Sequence, residues 1–342
     1  MAYAKERMKA SEYRKSLQEA PKKPYKLVIL SHDEGDDSND TGELIKKVAG
    51  GMGIKTFLGE FRGLYEENRT LNSFPVVDGS TEYPTPKSVG RGESQYEKPF
   101  PISPEDTIIM ARGVGRPGLS GNHSWYDKCK KWEHEGYTLI NGTKCHDLCS
   151  NKVMTQIIFE RENINTPKTV LLAHSEDTER ALKELGSKFP VILKTGTGTN
   201  GIGVILVESE ASLKAMVQLL YRESEFADLL LQEYIKADYD VRVIVFKDEV
   251  IGVMKRPVVK GDFRSNVSQG AKPVPHKLTN NERNESIRAA KAVDGVIVGV
   301  DFIPGKDKPY FIEVNNVPGL VGIEEALEGS IVKTLLNKLK EM

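Results

Sequence analysis

The sequence predicts an α/β protein of more than one unit, on three observations. Strand-like and helix-like runs alternate from Lys26 to Gly142, which argues for a small domain on a parallel sheet. A glycine-rich run, Thr195 to Gly203, lies between two strand-like segments. Near the C-terminus, Asp301 to Leu320 reads as two strands that carry Asp301, Glu313 and Asn315 toward one point. At 342 residues the chain is long enough for two or three domains with well-buried cores.

Composition excludes several classes. The 48 basic and 49 acidic residues leave a net charge of −1, and 39% of the chain is hydrophobic. Disorder and general nucleic-acid binding both show as charge imbalance, so neither is expected. Cys129, Cys145 and Cys149 are too few for a disulfide framework, and the pair Cys145 and Cys149 lacks a second pair to make a zinc site. They read as ordinary reduced thiols. No apolar run reaches about 18 residues, and the N-terminus has no apolar core of the signal-peptide type. The expectation is a cytoplasmic protein that does not enter a membrane.

Residues 1–25 form a basic extension, read as a surface helix, with an arm that touches RNA or an acidic partner as the alternative. Strands follow at Lys26–Leu30, Thr107–Ala111 and Thr138–Ile140, with helices at Thr41–Gly51 and Ser124–Glu135. The segment Glu66–Pro104, rich in Pro, Gly, Ser and Thr, reads as an elaborated loop. Arg112, Gly113 and Gly115 directly follow a strand, where open α/β sheets bind ligands; a structural arginine is the equal alternative. Ser150 or Asn151 caps a helix over Lys152–Glu162. A strand over Lys168–Ala173, a helix from about Glu176 to Leu185 and a strand over Pro190–Lys194 come next.

Lys194 leads into the glycine run. Gly196-x-Gly198-x-x-Gly201 matches the dinucleotide fingerprint by letter, but that fingerprint opens a helix, and Val204–Val207 is a β-branched strand. A Walker loop needs lysine after its last glycine, and Gly201 is followed by Ile202. What remains is a hairpin whose backbone N–H groups can close on phosphates beside Lys194, or a plain flexible turn.

Asp228–Ile235 is an apolar strand ending in Gln232-Glu233-Tyr234-Ile235; its extended backbone can meet the edge of an adenine, or it simply ends a core strand. Asp240-Val241-Arg242 opens the strand Val241–Phe246. Arg256, Lys260, Arg264 and Asn266 then make either an anion cradle or a solvated face. Asp301, Glu313 and Asn315 offer hard oxygens without Cys or His, which suits Mg²⁺ whose shell phosphate completes; a hairpin with solvated acids is the alternative.

These segments agree in order and spacing with a known family. From about Asn151 to Gly322 the chain resembles an ATP-grasp ligase. Lys260-Gly261-Asp262-Phe263-Arg264-Ser265-Asn266, with Gln232–Ile235 before it and Glu313-Val314-Asn315 and Pro318-Gly319-Leu320 after it, is similar to the RimK family. Those enzymes add glutamate to the C-terminus of a small-subunit ribosomal protein, and relatives ligate amino acids to other carboxylates. Lys26 to Ser150 matches more loosely.

The resemblance implies an α+β ATP-grasp architecture: a small parallel-sheet pre-ATP-grasp domain at 26–145 with an insertion at 66–104, a central lobe with a glycine flap at 146–235, and a C-terminal lobe with a metal site at 236–342. It implies that Lys152 and Lys194 contact nucleotide phosphates under a flap that contains Gly196, Gly198 and Gly201. It places Gln232, Glu233, Tyr234 and Ile235 on adenine and Asp240 toward the ribose. Asp301, Glu313 and Asn315 would bind two Mg²⁺ or Mn²⁺ ions, while Arg256, Arg264 and Asn266 would steady the transferred phosphoryl group and an acyl phosphate.

The implied activity is an ATP-dependent, ADP-forming carboxylate–amine ligase that adds a glutamate-like amino acid to a protein or peptide C-terminus, with a ribosomal protein as one acceptor. No membrane and no direct nucleic-acid contact are expected, and a homo-oligomer is compatible with the sequence. Three alternatives stand beside it: a small-molecule ligase of the glutathione-synthetase or lysine-biosynthesis type, an ATP-grasp kinase, and a non-catalytic nucleotide-binding module. One departure bears on substrate. Ser268-Gln269-Gly270 stands where relatives commonly carry His-Arg-Gly, which loosens the assignment of glutamate as donor.

Overall fold

The computed structural model describes residues 25–31, 37–61, 64–73, 99–112, 123–196, 203–223, 228–258 and 272–342. Its first unit runs β1 (Lys26–Ser31), α1 (Asp37–Gly51), β2 (Thr56–Glu60), β3 (Leu64–Glu67), β4 (Thr70–Ser73), β5 (Phe100–Pro101), β6 (Thr107–Ala111), α2 (His123–His134) and β7 (Thr138–Ile140). Strands β2, β1, β6 and β7 lie in that order in a parallel sheet. An uninterrupted apolar strand in a parallel sheet needs cover on both faces, and β1 receives it. Leu27 and Ile29 point into a core shared with Ile45 and Ala49 of α1, whereas Val28 and Leu30 enter a core with Cys129 and Trp132 of α2.

Two features differ from the sequence reading. β2 was not among the expected strands, because five residues interrupted by Gly59 give little periodic signal. The segment 66–104 is more than a loop: at its described ends, β3, β4 and β5 form an antiparallel sheet in which Phe100 pairs with Leu71. Leu64 and Leu71 are buried in the Trp132 core, so apolar anchors inside a polar stretch hold this sheet down.

The second unit comprises α3 (Thr143–Cys149), α4 (Lys152–Arg161), β8 (Thr169–Leu172), α5 (Thr178–Glu184), β9 (Val191–Thr195), β10 (Val204–Val207), α6 (Glu210–Glu223) and β11 (Leu229–Glu233). Its antiparallel sheet has the order β10-β9-β11-β8. Leu182 of α5 and Leu213 and Val217 of α6 pack against Leu193, Leu229 and Leu231. Asn151 is the residue that caps α4, its Oδ1 accepting from the Val153 N–H at 2.8 Å.

The third unit runs β12 (Tyr239–Phe246), β13 (Glu249–Pro257), β14 (Val274–Pro275), α7 (Asn280–Ala292), β15 (Ile297–Ile303), β16 (Tyr310–Asn315), α8 (Val321–Ala326) and α9 (Ile331–Leu339), with sheet order β14-β13-β12-β15-β16. The period of two sorts its side chains. Val241, Val243, Val245, Val298, Val300 and Phe302 enter a core under α7 and α4. On the opposite face, Ile244, Phe246 and Met254 pack under α8 and α9, together with residues of β1 and α1. Ile331, Leu335, Leu336 and Leu339 are fully or almost fully buried there, at about 1.5–3 kcal/mol each, which ties the first unit to the third. The remainder of that face carries charge. Among the described residues no helix is long and apolar enough to cross a membrane.

Candidate active site

Asp240 and Arg242 stand two apart on β12 and so share a face. Register brings the others beside them: Asp240 pairs with Arg256 of β13, Arg242 with Asp301 of β15, and Asp301 with Glu313 of β16. Arg256 Nε and Nη2 donate to the two oxygens of Asp240, each at 2.7 Å, and Nη2 also donates to Asp301 Oδ2 at 3.0 Å. Arg242 grips Asp301 bidentately, Nε to Oδ1 at 2.8 Å and Nη2 to Oδ2 at 2.7 Å. Asp240, Arg256 and Asp301 are all buried. Burial opposes ionisation of Asp301, but the guanidinium groups of Arg242 and Arg256 outweigh it and hold the carboxyl below its usual range.

Lysines arrive from the second unit. The Lys152 N–H donates to Gly196 O at 3.0 Å, and the Gly196 N–H donates to Asp228 O, so the start of α4, the end of β9 and the approach to β11 are bound together. A Cβ at Gly196 would sit 2.5 Å from Asp228 Cβ, which leaves glycine as the residue for this close approach. Lys152 Nζ lies 3.9 Å from Glu313 Oε1. Lys194, half-buried on β9, is pushed down to about 8 by desolvation, with Glu313 opposing the fall and Lys152 adding to it. The Thr195 N–H donates to Gly203 O at 2.9 Å, closing the base of the glycine hairpin.

The donor set fits a hard divalent cation that shares its shell with phosphate and water. Among the described residues, Asp301 Oδ2 accepts two guanidinium hydrogen bonds and Oδ1 accepts one. Glu313 is partly exposed and lies 3.9 Å from Lys152, and its charge also acts on Lys194. Asn315 Oδ1 accepts from the Val317 N–H at 2.8 Å, which is its one hydrogen bond among the described residues. Asn315 pairs with Gly299, where the absence of a side chain keeps space beside Arg242. Among the described residues no group of three or more His, Cys, Asp and Glu side chains could hold a metal by itself.

Other expected residues are placed with less convergence. Gln232 is buried and its Nε2 donates to Thr169 Oγ1 at 2.7 Å. Glu233 exchanges bonds with Lys168, its N–H donating to Lys168 O at 2.9 Å and its Oε1 accepting from the Lys168 N–H at 2.7 Å. Tyr234 and Ile235 follow β11 outside any ladder and are half-buried. Leu230 pairs with Lys194, so Tyr234 lies four residues on, about 13 Å along the strand direction. Arg112 is buried and donates to Pro318 O at 3.0 Å. Gly113, Gly115, Gly198, Gly201, Lys260, Arg264, Asn266 and Ser268–Gly270 lie outside the described residues, as do residues 1–24.

Arg242 is the member of this charged network that the sequence reading did not name as a site residue. Its spacing of two from Asp240 on a strand was the available signal.

The Lys194 shift has a measurable consequence. If Lys194 holds a nucleotide phosphate, as the sequence resemblance implies, loss of its charge near pH 8 should make ADP affinity by calorimetry fall about tenfold per pH unit above about 8. Lys194→Met should flatten that limb, and a flat wild-type profile up to about pH 9.5 would remove Lys194 from the phosphate site. For stability the sign is opposite: a lysine depressed in the folded state costs stability while protonated, and that cost fades between about pH 8 and about 10.4.

Comparison with known proteins gives a consistent picture. Residues 149–339 match the model of the RimK-like ATP-grasp domain. A "Probable alpha-L-glutamate ligase" of Chromohalobacter salexigens is 34% identical over 244 residues, covering 70% of this chain and 78% of that protein. Among solved structures, the ATP-grasp ligase PsnB complexed with a minimal precursor superposes with a TM-score of 0.63 at 16% identity, covering 94% of this chain and 100% of that one. The D-alanine–D-alanine ligase of Bacillus anthracis complexed with ATP gives a TM-score of 0.60 at 17% identity, covering 93% and 99%. These two likenesses are likenesses of fold.

Proposed function

The chain belongs to the RimK-like ATP-grasp family, and from that premise we propose an ATP-dependent carboxylate–amine ligase that adds an amino acid to the C-terminal carboxylate of a protein or peptide. The observation that carries this reading is the convergence of Lys152 and Lys194 on Glu313, beside the Asp240–Arg256–Asp301–Arg242 network.

A carboxylate is a poor electrophile, so one oxygen must become a leaving group before an amine attacks. Transfer of the γ-phosphoryl group supplies that leaving group as an acyl phosphate. Lys152 and Lys194 hold the nucleotide phosphates in this reading, and Gln232 to Ile235 hold adenine. Arg256 has spent Nε and both Nη2 hydrogens, so its Nη1 hydrogens serve the moving phosphoryl group. Arg264 and Asn266 are assigned to the same group, and Asp240 keeps Arg256 in place as well as facing the ribose. Asp301, Glu313 and Asn315 are the ligands for Mg²⁺ or Mn²⁺, with two ions as the finer proposal. A divalent cation held by these residues would supply charge neutralisation during phosphoryl transfer. The hairpin of Gly196, Gly198 and Gly201 closes over the phosphates and keeps water from the acyl phosphate.

We further propose the division of the chain at 1–25, 26–145, 146–235 and 236–342, a glutamate-like donor and a ribosomal acceptor. The relative from C. salexigens, a probable alpha-L-glutamate ligase, supports the donor, and the PsnB structure, complexed with a precursor, supports a peptide acceptor. Mass spectrometry of host-extract proteins after incubation with ATP, Mg²⁺ and mixed amino acids tests the reading. Amino-acid increments on a protein C-terminus are expected; ATP turnover driven by free carboxylic acids alone would move the activity to a small-molecule ligase.

A further inference from the structure

We propose that Asn141 is a positioning residue for the cation site, setting from the first unit the loop that leaves Asn315. The inference rests on the reading of Asp301, Glu313 and Asn315 as cation ligands. Asn141 follows β7 and is buried at 1% exposure. Its Nδ2 donates to Ile297 O at 2.7 Å and to Asn316 O at 2.5 Å, while its Oδ1 accepts from the N–H groups of Val296 at 2.8 Å and Ile297 at 3.0 Å. Both donors meet carbonyls and the oxygen meets two donors, so every hydrogen-bonding position of the amide is used.

The partners are the ends of the two ligand strands. Ile297 opens β15, four residues before Asp301, and Asn316 directly follows Asn315. One side chain therefore fixes the strand ends near the pairing of Gly299 with Asn315. The same loop is held further along: His146 Nδ1 meets Asn316 Nδ2 at 2.5 Å, Arg112 donates to Pro318 O, and Thr41 Oγ1 accepts from the Leu320 N–H at 3.0 Å. The loop also has no slack against β15, since a Cβ on Gly299 would lie 3.1 Å from Pro318 Cβ. Small octahedral cations tolerate little displacement of their ligands, and groups that orient ligands from behind commonly change metal affinity 10–100-fold. The side-chain hydrogen bonds of Asn141 go to backbone groups of Val296, Ile297 and Asn316, so it acts through the backbone that carries the ligands.

The test is Mn²⁺ binding by the full chain at saturating ADP, followed by electron paramagnetic resonance of free Mn²⁺, alongside ADP binding in a chelator. Asn141→Asp keeps the acceptor oxygen but sets a second oxygen against two carbonyls. It should weaken Mn²⁺ about tenfold while metal-free ADP affinity stays within about twofold. Should that variant fail to fold, Thr41→Val reads the same loop from its far end and should weaken Mn²⁺ about threefold. An unchanged Mn²⁺ affinity in the folded variant overturns the positioning role, as does a parallel loss of Mn²⁺ and metal-free ADP binding, which marks general destabilisation. Wild-type protein that takes up no Mn²⁺ with ADP overturns the cation site itself and the positioning role with it.

Discussion

Glu313→Gln should lower turnover by at least about 10²-fold while nucleotide still binds. The substitution keeps side-chain length and strand register but removes the negative charge that faces Lys152 and that, in the proposed function, would balance a divalent cation. A second readout separates charge from shape. Glu313 is the group that opposes the fall of the Lys194 ammonium, so its neutralisation should move the alkaline limb of ADP binding below about pH 8. Near-wild-type turnover would remove Glu313 from the site, and an unmoved limb would remove it from the neighbourhood of Lys194.

Arg256→Met should destabilise the protein by about 3–5 kcal/mol, because it leaves Asp240 and Asp301 buried without their shared cation. Chemical denaturation measures this directly. Arg256→Lys should recover only part of the loss, since an ammonium cannot donate in the planar fork that spans both carboxylates. The pH dependence follows from the signs. In the wild type, Asp301 is held low by Arg242 and Arg256 against the opposing effect of burial, so its contribution is present above about pH 4 and is lost as pH falls through the folded value. With Arg256 gone, the deficit relative to wild type should shrink as acid protonates the buried Asp301 and removes its need for that cation. Equal stability of Arg256→Met and wild type at neutral pH would show that the network is not a buried ion cluster.

Local pattern made the ligand strands legible. Two apolar runs ended near an acid and an acid–amide pair, and β15 and β16 bring those residues into register. β-branched residues after Gly203 likewise marked β10 and decided against a nucleotide fold that opens a helix. What sequence could not expose was contact at long separation. Asn141 carries no local signal, and its partners Ile297 and Asn316 lie 156 and 175 positions away. Thr41 reads as part of a helix and meets Leu320 across 279 positions. Arg242 shared a face with Asp240 in plain view, but a charged residue on a strand is usually a solvated one, and only the pairing of β12 with β15 sets it on Asp301. The small sheet of β3, β4 and β5 was hidden because its strands are short and lie in polar sequence.

Carboxylate activation is tested most directly by offering hydroxylamine in place of the amine, with ATP, Mg²⁺ and peptides that end in a free carboxylate. Activation as an acyl phosphate breaks ATP between its β and γ phosphates, so the products should be ADP, inorganic phosphate and a hydroxamate at the peptide C-terminus. AMP and pyrophosphate beside the hydroxamate would contradict the acyl-phosphate route, and ADP beside a phosphorylated hydroxyl group would contradict ligation altogether.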